Sequence, residues 1–365
     1  MDGRCFRESA APASRVPRPR AWPELGARVP GFIAAALILV SIAPGPALAQ
    51  DNGTLTLEAE NDFFAPITST DRHYTNGLRI AWLSPKTDVP EWIADVSDLP
   101  SHFGVEDSVP VYRRVGVALA QNIFTPDDTA RTDLIVNDRP YAGWLYLAVA
   151  LNTYRETPGG AARQDTFQVD LGVVGPSALG QEVQNNYHDV INVGETRGWS
   201  HQLQDEPAID IVFQRQWRTD TFPLAFGLQG DVIPHTIVSL GNVLTYAGAG
   251  ATLRLGGPLP RDFGPPRIRP GLPGSESFET KDDVSWYGFI GFEGRAVGRN
   301  IFLDGNSFRD SHSVSKHYFV GDFQAGVAVV IGSVRVTYTH VLLSPEFKAQ
   351  SNWDQFGALS LSWNM

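Results

Sequence analysis

The chain has a single cysteine, Cys5, in 365 residues. It lies in a segment that the pattern below reads as removed, so the mature protein has no disulfide, no thiolate metal site and no lipidated N-terminal cysteine. Charge is also scarce, at 19% of residues, and skewed to acid: 29 Lys and Arg face 40 Asp and Glu, for a net charge of −11. Such a balance gives no general attraction for nucleic acid or an anionic membrane surface. Internal repeats are missing. So are the Gly-x-Ser-x-Gly elbow of serine esterases and the His-Glu-x-x-His of zinc peptidases. What abounds is glycine, with 35 residues, and aromatics, with 20 Phe, 10 Tyr and 9 Trp. That composition argues against disorder, and equally against a helical bundle built on Ala, Leu, Glu and Lys.

The N-terminus reads as an export signal. Arg4, Arg7, Arg15, Arg18, Arg20 and Arg28 form a basic region without lysine, followed by the apolar run Phe32–Val40 and then Pro44-Gly45-Pro46-Ala47-Leu48-Ala49. A basic region, a short apolar region and an A-x-A site predict cleavage after Ala49, giving a signal peptide over 1–49 and a mature domain over 50–365. The apolar run is too short for a spanning helix, and no later segment is long enough either. The basic region is long for this class; a start at a later codon such as Val29 would shorten it.

The mature chain alternates with period two. Val115, Val117 and Leu119 do so, as do Leu145, Leu147, Val149 and Leu151, then Phe167, Val169, Leu171 and Val173, then Ile209, Ile211 and Phe213. Twelve segments follow the pattern, near 52–60, 75–84, 112–121, 143–155, 164–174, 207–218, 222–232, 243–255, 284–297, 317–331, 333–343 and 354–364. An even count, lengths near ten residues and tryptophans near strand ends (Trp82, Trp144, Trp217, Trp286, Trp363) predict an all-β fold. Specifically, they predict a transmembrane outer-membrane β-barrel of about twelve antiparallel strands. A secreted soluble β-sandwich or barrel also alternates and is the competing reading. Two long connections, 85–111 and the Pro-rich 256–283, read as loops.

With the N-terminus periplasmic, connections 1–2, 3–4 and 5–6 face outward, and the turns at Ile331-Gly332-Ser333 and Arg218-Thr219-Asp220-Thr221 are short periplasmic ones. The unusual polar motifs then share one rim: Asn61-Asp62 with Tyr74-Thr75-Asn76-Gly77, Asp138-Arg139-Pro140-Tyr141-Ala142-Gly143, and the stretch 175–192. That last stretch lacks period two and reads as a short helix. Ser177 is a candidate cap, and Gln181, Gln184 and His188 lie at helical spacing on one face. Taken alone, His188 is more often an ordinary surface residue than a catalyst. Tyr74, Tyr141 and Trp144 read as girdle aromatics, and Gly77 and Gly143 as packing or bulge residues.

Taken in order, Glu60-Asn61-Asp62, Asp71-x-x-Tyr74-Thr75-Asn76-Gly77, Arg139-Pro140-Tyr141-Ala142-Gly143-Trp144, Gly175-Pro176, Gln184-x-x-x-His188 and the terminal Phe356-Gly357-x-Leu359-Ser360-Leu361 resemble the outer-membrane lipid A 3′-O-deacylase (LpxR) family. The likeness spans nearly the whole mature chain. It implies a site on the outer rim, acting on lipid A or lipopolysaccharide in the outer leaflet. It also implies a Ca²⁺-dependent hydrolase, expected to be monomeric, that removes the 3′-linked acyloxyacyl group. By matching position, His188 would be the general base and Gln184 its neighbour. Asn61 and Asp62 would form the metal side, Thr75 would line the site, and Arg139 would bind an anionic headgroup or support the site. Hard carboxylate and amide oxygens suit Ca²⁺ better than Zn²⁺. Strand alternation, however, puts Asn61 and Asp62 on opposite faces unless the strand bulges or ends there. Two rival functions remain: a passive barrel (pore or scaffold), and an outer-membrane phospholipase using a Ser-His pair. Ser177 would sit three helical turns from His188, too far for a dyad on one straight helix.

Overall fold

In the computed structural model, the described residues are 53–365 except 66–71, 88, 92–110, 158–159, 192–193, 269–275 and 281; they fall in the unit Pro46–Met365. The signal peptide expected over 1–49 and most of the connection 85–111 lie outside them. No described helix is long and apolar enough to cross a membrane.

Twelve strands build the wall: β1 (Thr54–Asn61), β2 (His73–Leu83), β3 (Val111–Thr125), β4 (Ala142–Glu156), β5 (Ala162–Val174), β6 (Glu206–Arg218), β7 (Gln229–Gly241), β8 (Leu244–Gly256), β9 (Val284–Asn300), β10 (Phe319–Ile331), β11 (Val334–Leu343) and β12 (Asp354–Asn364). Each pairs antiparallel with its neighbours in sequence, and β12 pairs with β1, from Thr54↔Asn364 to Asn61↔Gly357, closing the barrel. Closure leaves no open edge, which a lipid environment requires.

Burial along each strand is inverted relative to a soluble protein. In β1, Thr54, Thr56, Glu58 and Glu60 are buried in the lumen, whereas Leu57 is 40% exposed. Ile80, Leu119, Val149, Ile211, Ile290 and Val327 point outward in the same way. Polar inside and apolar outside is what alternation means when the solvent is a bilayer. The lumen is stitched by ion pairs, among them Arg215 Nε with Asp165 Oδ1 at 2.6 Å and Arg295 Nη2 with Asp322 Oδ1 at 2.7 Å, and by hydrogen bonds such as His235 Nε2 with Glu293 Oε2 at 2.9 Å.

Three expectations need correction. The seventh strand runs over Gln229–Gly241, not 222–232. The link before it is not a four-residue turn; it holds a two-residue strand, Phe222–Pro223, and a 3₁₀ turn, Ala225–Gly227. Pro234 hides this strand in the sequence. Pairing of β7 with β6 stops at His235, so the proline's missing N–H costs no ladder bond on that side. Thirdly, Trp82 and Trp286 do face outward, but Trp144 is 1% exposed and stacks on Tyr146 at 4.0 Å between centroids, inside the barrel. Tyr74 and Tyr141 are buried as well. They pack as a plug in the mouth rather than as a lipid-facing girdle. Gly332-Ser333, by contrast, is the expected short turn between β10 and β11, with Gly332 at φ 55°.

The Pro-rich connection between β8 and β9 turns back into the lumen. Asp262 is buried there against Arg254 and Arg335, and Phe263 packs with Tyr154 and Ile233.

Candidate active site

The first part of the site forms where β1 ends. Asn61 is its last residue, and Asp62 opens a 3₁₀ turn, Asp62–Phe64. The strand therefore stops at this point, which lets two consecutive side chains both be buried, each 3% exposed, despite alternation. The neighbouring strand also breaks its period. Tyr74 pairs with Phe124 and Asn76 with Ile123, leaving Thr75 as an extra residue in a bulge. A bulge re-aims the side chain it carries. Thr75 is fully buried; its carbonyl accepts from Asn61 Nδ2 at 3.0 Å and its hydroxyl meets Thr125 Oγ1 at 2.7 Å.

The second part is a helix, α1 (Gly180–Ile191), in the connection between β5 and β6. Pro176–Ala178 forms a 3₁₀ turn before it, and Leu179 takes a left-handed conformation at φ 58°. Ser177 does not cap α1: its N–H and hydroxyl both bond Asp205, at 2.7 and 2.8 Å. Gln184 and His188 are buried on one face of α1, whereas Gln181, in its first turn, is exposed. His188 Nδ1 lies 2.7 Å from the Gly194 carbonyl and His188 Nε2 lies 2.7 Å from Gln184 Nε2. A carbonyl can only accept, so Nδ1 carries the proton; Nε2 then holds the lone pair and receives the Gln184 N–H.

Close backbone approach seats α1 on the wall. A Cβ on Gly143 would meet Ala178 Cβ at 3.1 Å and Gly180 Cα at 3.2 Å. Gln121 Nε2 donates to the Ala178 carbonyl at 2.6 Å, and Val183 packs on Ile123, Tyr141 and Trp199. The returning chain is tied down by Trp199 Nε1 to Thr196 Oγ1 at 2.7 Å and by Thr196 Oγ1 to Asn185 Oδ1 at 2.8 Å. One ladder row, Asn61↔Asn76↔Ile123↔Gly143, joins the two parts through adjacent strands. The foot of α1 is thus three strands, about 14 Å, along the wall from Asn61.

Arg139 stands apart from both. It is fully buried, donates to Glu346 Oε2 at 2.7 Å and lies over the rings of Phe124 and Phe347. Beside it, His73 Nδ1 meets Asp354 Oδ2 at 2.7 Å, and Asp138 accepts from the N–H groups of Asp127 and Arg139 at 2.8 and 2.7 Å. Burial alone would raise the Asp138 carboxyl; the bonds from His73 and these N–H groups more than offset it and hold it below its ordinary value.

As a cation site, Asn61, Asp62 and Thr75 offer only hard oxygens, which fits Ca²⁺ in kind. Glu60 is committed elsewhere, accepting from Tyr74 Oη at 2.8 Å and Arg267 Nε at 2.7 Å. Among the described residues no three His, Cys, Asp or Glu side chains are grouped so that they could hold a metal ion. A cation here would therefore rest on one carboxylate, with backbone carbonyls and water completing its shell.

Sequence reasoning missed Thr125, Gln121, Gly194, Thr196 and Trp199. A signal was present in β3, whose alternation stops at Gln121-Asn122 and whose last six residues, Ala120–Thr125, are all buried.

The family model for the outer membrane protein LpxR matches residues 32–365. The solved LpxR from Salmonella typhimurium is 19% identical, with a TM-score of 0.66 over 86% of this chain and 100% of that one. The beta domain of the Bordetella autotransporter Brka is 10% identical, with a TM-score of 0.44 over 86% and 99%. No curated protein matches the chain in sequence. With a closed twelve-stranded wall, an apolar exterior and a family match over most of its length, this chain belongs to the LpxR family of outer membrane proteins.

Proposed function

We propose that the protein is a Ca²⁺-dependent lipid A deacylase that removes the 3′-linked acyloxyacyl group at the outer rim, with His188 as general base. The observation that carries this reading is the orientation of His188. Its proton is fixed on Nδ1 by the Gly194 carbonyl, so Nε2 is the basic atom, and it is held on a helix packed against the wall. A neutral imidazole suits proton abstraction at neutral pH.

The step balances as an ester hydrolysis. Nε2 takes a proton from water as the water oxygen bonds the acyl carbon, giving a tetrahedral oxyanion. Collapse breaks the bond to the sugar oxygen. That oxygen takes the proton from the imidazolium and leaves as the lipid A 3′-hydroxyl, and the acyl group departs as a fatty acid. Gln184 holds the Nε2 lone pair at rest, so its amide must release Nε2 before water can be activated. Asn61 and Asp62 are the residues that would hold Ca²⁺, whose chemistry is polarisation of the ester carbonyl. Thr75 lines their side. Arg139 takes the supporting role, since Glu346 already pairs it in a fully buried setting.

Expression of the mature barrel in a Gram-negative host, with lipid A read by mass spectrometry, tests the reading. Wild type is expected to remove the 3′ group only with Ca²⁺ present, and His188→Ala to leave lipid A intact. Unchanged lipid A from a folded wild-type barrel would overturn the reaction in favour of a passive barrel or another lipid substrate. Deacylation surviving His188→Ala would overturn the base.

A further inference from the structure

The connection between β8 and β9 leaves the wall at the end opposite the site, yet its residues 262–268 run inside the barrel. The lower part is anchored by Asp262, which pairs with Arg254 and, at 2.8 Å, with Arg335, and by Phe263, whose carbonyl accepts from Gln216 Nε2 at 3.2 Å. The upper described residues of the connection, Arg267 and Ile268, lie directly under the site. Arg267 Nε donates to Glu60 Oε1 at 2.7 Å, the Ile268 N–H reaches the same oxygen at 3.3 Å, and Arg267 Nη1 donates to Gln324 Oε1 at 3.1 Å. The other oxygen of Glu60 takes the Tyr74 hydroxyl. Ile268 Cδ1 stands 3.0 Å from where a Gly77 Cβ would be, so Ile268 also abuts β2. Arg267 and Glu60 side chains are 1% and 2% exposed.

Glu60 is the residue before Asn61, and Tyr74 the residue before the Thr75 bulge. The Arg267–Glu60–Tyr74 chain therefore grips β1 one position below Asn61 and β2 one position above Thr75. We infer that Arg267 is a positioning residue: a strut threaded through the lumen from the far mouth sets the backbone of Asn61-Asp62 and Thr75 by clamping Glu60 and Tyr74. This rests on the deacylase reading above. Removing Arg267 leaves Glu60 buried beside Tyr74 without its cation, and the inexpensive response is for the end of β1 to shift. A shift of about 1 Å at a catalytic centre costs on the order of 10²-fold in rate.

The test uses the full barrel in outer membranes, with folding checked by gel mobility before and after heating. Arg267→Ala is expected to lower kcat for lipid A about 10²-fold with KM little changed. Arg267→Lys should restore part of the rate, and Glu60→Gln in the Arg267→Ala background should restore part by removing the unpaired charge. The exposed Arg261→Ala on the same connection should match wild type. With 3-fluorotyrosine incorporated, the ¹⁹F resonance that Tyr74→Phe removes should move in Arg267→Ala. A folded Arg267→Ala barrel with wild-type kcat, or an unmoved Tyr74 resonance, overturns the strut. A folded wild type without activity overturns the deacylase reading instead, and the Tyr74 resonance still decides the strut.

Discussion

Gln184 Nε2 stands 2.7 Å from His188 Nε2, one helical turn away on a buried face of α1. The amide thus caps the nitrogen that would act as base. Gln184→Ala removes that cap and the positioning it gives, and kcat is expected to fall roughly 10- to 100-fold, less than for His188→Ala. Gln184→Glu places a carboxylate beside the imidazole, which favours the charged form and raises its pKa. The acid limb of the rate profile should then move to higher pH. A pH–rate series on purified barrels reads both effects, and an unmoved limb in Gln184→Glu would count against Nε2 as the basic atom.

Arg139 and Glu346 form a pair buried at the mouth, 2.7 Å apart. Arg139→Ala leaves Glu346 without its cation and should destabilise the rim by about 3–5 kcal/mol. If support is its role, Arg139→Met with Glu346→Leu recovers stability and most activity. A headgroup contact predicts the opposite: a raised KM that the double substitution does not repair. Thermal unfolding and KM measured together separate the two.

Gly143→Ala inserts a methyl where Ala178 and Gly180 already stand at 3.1 and 3.2 Å. Overpacking of this kind costs about 1–3 kcal/mol. The expected outcome is a closed barrel with α1 lifted, seen as faster hydrogen exchange over 180–191 and reduced activity. Unchanged exchange there would show that α1 is not seated by this contact.

Asp138 gives a pH dependence. Its folded pKa lies below the ordinary 3.8, so its stabilising contribution is fully present above that value and is lost as pH falls through the folded pKa. Asp138→Asn should therefore be less stable than wild type at pH 7, by about 1–3 kcal/mol. The gap should close on acidification below the carboxylate range. Unfolding free energies of both proteins in detergent between pH 7 and pH 2 check the sign.

The wall was legible in the sequence because alternation is a local signal: Leu57, Ile80, Leu119 and Val149 declare their strands without reference to anything distant. The six candidate residues were proposed from their motifs, and the structure buries all six at one end of the barrel. What alternation could not convey is any place where it stops. Thr75 in its bulge, Asn61 at a strand end and the buried run Ala120–Thr125 all abandon period two around the candidate site. The seventh strand carries Pro234 at a place where pairing with β6 has already ended, an arrangement that alternation alone does not mark. Arg267 and Glu60 were beyond reach altogether: 207 positions separate them, and the connection that carries Arg267 looks like an ordinary surface loop.

The meeting of β1 with β12 bears on how the molecule is made. Thr54 lies opposite Asn364, so the seam joins the first strand to the last. Until the C-terminal strand arrives, both β1 and β11 present a row of unanswered N–H and C=O groups, the feature that invites pairing with foreign strands. Every partial chain is therefore an open sheet. Insertion has to wait for the final residues, or be helped by something that shields those two edges in the meantime.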